Sequence, residues 1–115
     1  MKRVIICEDD PLLAIELADE VERAGSEVCG IFHNSFDALR AAVVLKPEIA
    51  IIDLNLADGD TGVLLATHLA DSGCRVIVVS GSTAAQPGLG RISHAYIAKP
   101  IPAGAIRQLA GTRSA

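Results

Sequence analysis

Residues 4–11 read Val4-Ile5-Ile6-Cys7-Glu8-Asp9-Asp10-Pro11, passing from a β-branched apolar run through three consecutive acids to a proline. An almost wholly apolar run of this length reads as a parallel strand covered on both faces. Asp10 can cap a following helix and Pro11 suits its first turn. Leu13, Leu17, Val21 and Ala24 then form an apolar stripe ended by Gly25. Strand, acidic turn and helix thus follow one another at the start of the chain.

The same alternation continues outward. Apolar runs at 28–32, 49–52, 76–79 and 96–98 make four further strands. Those at 4–7, 49–52 and 76–79 are the most β-branched and read as interior strands, whereas 28–32 and 96–98 read as edges. A second helix starts near Ser35, carries Phe36, Leu39 and Val43 on one face, and stops before Pro47. A third starts near Asp60, with Leu65 and Leu69 one turn apart, and ends near Gly73. Between Ser80 and Tyr96 the glycines and Pro87 leave room for one or two helical turns at most. A last helix spans about 102–110, and 111–115 form a polar tail. Alternation of this kind implies right-handed crossovers and a doubly wound α/β sheet.

Composition narrows the function. The 115 residues, half of them hydrophobic, suit one domain with a proper core. Aromatics are only 3%, there is no Trp, and the formal net charge is −4, which together argue against a nucleic-acid surface. No stretch approaches the roughly eighteen apolar residues of a membrane span. The opening MKRVIICEDD reaches its acids too soon for a signal peptide, so the chain reads as cytoplasmic. Cys7, Cys29 and Cys74 form no C-x-x-C pair and read as core thiols. His33, His68 and His94 share no ligand spacing and read as surface or edge residues.

The polar residues that remain fall in a pattern. Glu8 and Asp9 follow the first strand, Asp53 ends the third, Ser80 ends the fourth and Lys99 follows the fifth. All lie at strand carboxyl ends, the edge where open parallel sheets bind ligands. Asp10, Asp58 and Asp60 read instead as helix caps or turn residues. Glu8, Asp9 and Asp53 at close quarters repel and raise one another's pKa unless a cation pairs with them. Oxygen donors with no His or Cys beside them favour a hard divalent ion, Mg²⁺ foremost and Mn²⁺ next. Lys99 and Ser80, with that ion, can surround the oxygens of a transferring phosphoryl group, leaving Asp53 as the nucleophile that accepts it.

These residues resemble the receiver domain of two-component response regulators. The opening 4–11 is similar to the family's first strand and acidic pair, and Ile51-Ile52-Asp53-Leu54-Asn55-Leu56 to its phospho-acceptor strand. Val78-Val79-Ser80-Gly81 resembles the hydroxyl-bearing fourth strand and Tyr96-Ile97-Ala98-Lys99-Pro100 the Lys-Pro signature. The resemblance implies a flavodoxin-like five-stranded parallel sheet of order 2-1-3-4-5, with a short or irregular fourth helix. It also implies that Asp53 is phosphorylated, that Asp9 ligates Mg²⁺ directly and Glu8 through water, and that the Asn55 carbonyl completes the ligands. Ser80 and Lys99 bind phosphoryl oxygens, Ser80 and Tyr96 form the switch, and Asn55 and Ser82 tune phosphate loss. Lys99-Pro100 is a candidate cis peptide. Ala57 and the later-placed Gly62 depart from the family pattern, implying a differently shaped acceptor loop.

The expectation is therefore a stand-alone receiver, residues 1–110. It takes phosphoryl from a sensor histidine kinase or histidine phosphotransfer protein and signals by altered protein contacts or by phosphorelay. It is not a turnover enzyme, and neither nucleic acid nor membrane is a partner. The weak fourth helix argues against the usual dimer face. A haloacid-dehalogenase-type phosphatase is disfavoured because Asn55 stands where the general acid is needed. An FMN carrier is disfavoured by the acidic first loop. The rival that remains is a receiver-like interaction module that works without phosphorylation.

Overall fold

In the computed structural model the described residues are 1–54, 61–81 and 94–110. The elements run β1 Arg3–Cys7, α1 Pro11–Arg23, β2 Glu27–Phe32, α2 Ser35–Leu45, β3 Ile49–Asp53, α3 Thr61–Asp71, β4 Arg75–Ser80, β5 His94–Ala98 and α4 Ala105–Ala110. The strands form one parallel sheet of order β2-β1-β3-β4-β5. The continuously apolar strands β1, β3 and β4 occupy its centre, where both faces must be covered. The less uniform β2 and β5 form the edges.

Alternate side chains of the three central strands, β1, β3 and β4, feed two cores. Ile5, Ala50, Ile52, Val76 and Val78 pack with Ala38 and Ala42 of α2 and Leu65 and Leu69 of α3. Val4, Ile6, Ile49, Ile51, Ile77 and Val79 pack with Leu17 and Val21 of α1 and Ile106 and Ala110 of α4. Cys7 and Cys74 are buried and Cys29 half-buried, all three as free thiols. Burial pushes the Cys29 thiol up and the Cys74 thiol to about 11, which suits apolar packing.

Register places the polar residues. Cys7 pairs with Ile52, so Glu8 and Asp53 are the next residues along adjacent strands. Asp53 pairs with Val79, and Ser80 with Ala98, which brings Ser80 and then Lys99 to the same sheet edge.

The helices obey local signals with three differences. In α1, Asp10 caps through its side chain, which accepts from the Leu12 N–H at 3.0 Å, and Pro11 is the first residue. Its buried line is Ala14, Leu17 and Val21, while Ala24 is the C-cap and Leu13 only half-buried. In α2 the packed face is Ser35, Ala38 and Ala42. Phe36 and Val43, expected to share a stripe with Leu39, are 64% and 67% exposed. The two stripes differ by one residue, about 100° of rotation, and the small-residue face admits the helix closer to the sheet.

The last helix is shorter than its composition suggests. Gly104 has φ +82°, outside the helical region, so α4 starts at Ala105 and not near Pro102. The expected fourth helix, the start of the third near Asp60 and the tail at 111–115 lie outside the described residues. No helix among the described residues is long and apolar enough to cross a membrane.

Candidate functional site

β1 and β3 end side by side, and their last turns direct two acids inward. Glu8 is fully buried and Asp53 is 2% exposed. The Lys99 ammonium reaches in from the end of β5, 2.9 Å from Asp53 Oδ2 and 3.5 Å from Glu8 Oε1. Glu8 Oε2 accepts from the Asp10 N–H at 3.1 Å, whereas Oε1 is buried with no hydrogen-bond partner among the described residues. Asp9 is exposed beside them, and one carboxylate oxygen from each of Glu8, Asp9 and Asp53 lies within 4.8 Å of the others.

The electrostatics follow from this crowding. One ammonium cannot neutralise two buried carboxylates and a third at their edge. Burial, then the hydrogen bond and charge of Asp53, push Glu8 up to about 8, against the partial relief of the Asp10 N–H and Lys99. Burial alone lowers Lys99, but the hydrogen bond and charge of Asp53, reinforced by Glu8, outweigh it and leave the ammonium above the ordinary lysine value. Lys99 is therefore a fixed positive charge.

The donor set fits a divalent cation. A buried oxygen without a hydrogen bond, three converging carboxylates and, among the described residues, no nitrogen or sulfur ligand make a cluster that can hold a hard metal ion. Glu8, Asp9, Asp53 and Lys99 are thus brought together. Ser80 is buried at the end of β4, and its carbonyl accepts from the Lys99 N–H at 2.9 Å, tying the two strand ends. Tyr96 pairs with Val78 two rungs back from Ser80 and is 49% exposed. The Lys99–Pro100 peptide is cis. Asn55, Ala57 and Ser82 lie outside the described residues.

Two residues gain a place that sequence reasoning did not assign them. Gly62, near the start of α3, passes so close to the acceptor strand that a Cβ there would stand 3.2 Å from Leu54 Cα and 3.4 Å from the Asp53 carbonyl oxygen. His33, just after β2, brings Nδ1 to 2.8 Å from the Glu8 carbonyl oxygen. The available signal for His33 was its position at the carboxyl end of the strand beside β1.

A family model described as the response regulator receiver domain matches residues 4–110. The transcriptional regulatory protein PdtaR of Mycobacterium tuberculosis is 28% identical over 103 residues, 86% of this chain and 50% of that protein. The phyllosphere-induced regulator PhyR of Methylorubrum extorquens is 37% identical over 60 residues, 51% of this chain and 22% of that protein. The chain therefore spans half the length of PdtaR, and its match reaches less than a quarter of PhyR. Among solved structures, the signal receiver domain of a modulated diguanylate cyclase from Desulfovibrio desulfuricans G20 superposes with TM-score 0.85 at 31% identity, covering 94% of this chain and 89% of that one. A CheY-like receiver domain from Methylobacillus flagellatus gives TM-score 0.80 at 23% identity over 95% of each chain, a likeness of fold.

Proposed function

Because the chain belongs to the response regulator receiver domain family, we propose that Asp53 accepts a phosphoryl group from a phosphohistidine donor and that the chain signals through the resulting change. The observation that carries this reading is the Lys99 ammonium 2.9 Å from Asp53 Oδ2, beside three carboxylates able to share a divalent ion.

The Asp53 carboxylate oxygen forms a P–O bond as the donor's P–N bond breaks and its electron pair returns to the imidazole. Lys99 holds a positive charge against the phosphoryl oxygens, and the Ser80 hydroxyl donates to another of them. Glu8, Asp9 and Asp53, with the Asn55 carbonyl, would hold Mg²⁺ or Mn²⁺, and that ion would supply charge neutralisation among the carboxylates and the phosphoryl oxygens. Asn55 and Ser82 set how quickly phosphate is lost. Ser80 moving toward the phosphoryl group, with Tyr96 turning inward, is the switch.

The donor is a sensor histidine kinase or a histidine phosphotransfer protein in the cytoplasm. Residues 1–110 are the receiver unit. Output is a protein contact that differs between the two states, or onward phosphoryl transfer, and the activity is phospho-acceptance without substrate turnover.

Incubation with acetyl phosphate and Mg²⁺, followed by intact mass, tests this. One added phosphoryl group that requires both Asp53 and the metal is the expected result. No addition, with beryllofluoride also leaving the amide spectrum unchanged, would replace it with the phosphate-independent module.

A further inference from the structure

Resting on that reading of the acidic site, we propose that His33 is a positioning residue: its imidazole holds the Glu8 main chain so that Glu8 and Asp9 present their carboxylates together to a divalent cation. The last rung between β1 and β2 pairs Cys7 with Phe32, so Glu8 lies just past the regular ladder. Beyond that point backbone groups need other partners. The Glu8 N–H donates to the Phe32 carbonyl at 2.8 Å, and the Glu8 carbonyl meets His33 Nδ1 at 2.8 Å. Consecutive residues of β2 and its exit therefore grip Glu8 on both sides of its Cα.

The second grip matters for the site. The Glu8–Asp9 peptide joins a fully buried acid to an exposed one, so the orientation of that peptide sets how their carboxylates converge. A carbonyl only accepts, so Nδ1 carries the proton and donates. The third tie, the Asp10 N–H on Glu8 Oε2, fixes the carboxylate itself and leaves Oε1 toward the cluster. Groups that orient ligands in this way change metal affinity without touching the metal.

The test is calorimetric titration with Mg²⁺ alone on the wild type, His33→Phe and His33→Asn, with phosphoryl uptake from acetyl phosphate measured in parallel. His33→Phe keeps a planar ring without a donor and is expected to weaken Mg²⁺ binding about tenfold. Uptake at saturating Mg²⁺ should stay within about twofold of wild type, since the reacting groups are intact. His33→Asn, which retains a donor, should recover most of the affinity. A purely structural histidine would lower the melting temperature and leave the affinity of the folded protein unmoved.

Unchanged affinity in folded His33→Phe, or an Asn variant as weak as the Phe variant, overturns the proposal while leaving the site reading intact. A wild type that binds no Mg²⁺ overturns both. Should the Phe variant not fold, the wild type is followed by NMR during Mg²⁺ titration. The His33 Nδ1 and Glu8 carbonyl resonances are expected to shift with the midpoint of metal binding, and stationary resonances refute the role.

Discussion

The ammonium of Lys99 stands 2.9 Å from Oδ2 of Asp53, an ion pair between residues 46 positions apart that closes the sheet's carboxyl edge. The same ammonium lies 3.5 Å from the buried Glu8, so one cation serves two acids. Replacing it by Met keeps the stem and removes the charge. Lys99→Met is expected to slow phosphoryl acceptance at Asp53 by about 100-fold, the scale of losing one preorganised charge partner. Quench-flow or time-resolved intact mass with acetyl phosphate at saturating Mg²⁺ checks this, and a rate within a few-fold of wild type would remove Lys99 from the chemistry.

Glu8 makes the metal-free protein sensitive to pH. Its pKa rises from 4.5 to about 8 on folding, chiefly through burial, so the folded state holds its proton more tightly than the unfolded state. That contribution to stability is fully present below about pH 4.5 and is lost as pH rises through about 8. Urea denaturation in EDTA should show this group's share of stability declining across that window, and Glu8→Gln should flatten the decline. Equal slopes in the two proteins would refute the assignment.

Mg²⁺ binding should release a proton for the same reason. A cation needs the ionised carboxylate, so the apparent affinity is expected to rise with pH by up to about tenfold per unit below the Glu8 pKa. Titration calorimetry in buffers of different ionisation enthalpy measures the protons released. An affinity flat between mildly acidic and neutral pH would show that Glu8 is already ionised.

Gly62→Ala opposes two effects. Alanine is better than glycine within a helix by up to about 1 kcal/mol. Here its Cβ would come 3.2 Å from Leu54 Cα and 3.4 Å from the Asp53 carbonyl oxygen, both main-chain atoms that yield little. A net destabilisation of about 1–3 kcal/mol is expected, with amide shifts at Asp53 and Leu54. A gain in stability would mean that α3 moves away freely.

The face of α2 is tested by contrast. Phe36 is 64% exposed, with the Arg40 guanidinium 5.5 Å from its ring centroid, so Phe36→Ala should cost no more than about 1 kcal/mol. Ala38 is fully buried, and Ala38→Leu should cost about 1–3 kcal/mol through overpacking. Chemical denaturation ranks the two, and the reverse order would restore Phe36 to the core.

The order of elements, the central and edge strands, and the position of Glu8, Asp53, Ser80 and Lys99 at strand ends were all legible in the sequence. Each depends on a local pattern: β-branched runs flanked by polar residues, a proline after a capping acid, and a helix stopped before Pro47. Tertiary structure decided what depends on neighbours distant along the chain. Phe36 and Ala38 lie on adjacent stripes of one helix, and only the depth available against the sheet determines which stripe is buried. The raised pKa of Glu8 comes from burial beside Asp53, 45 positions away in the numbering, across the β1–β3 pairing. His33 reads in sequence as a surface residue, and its contact with the Glu8 carbonyl exists because β2 and β1 end together in the folded sheet.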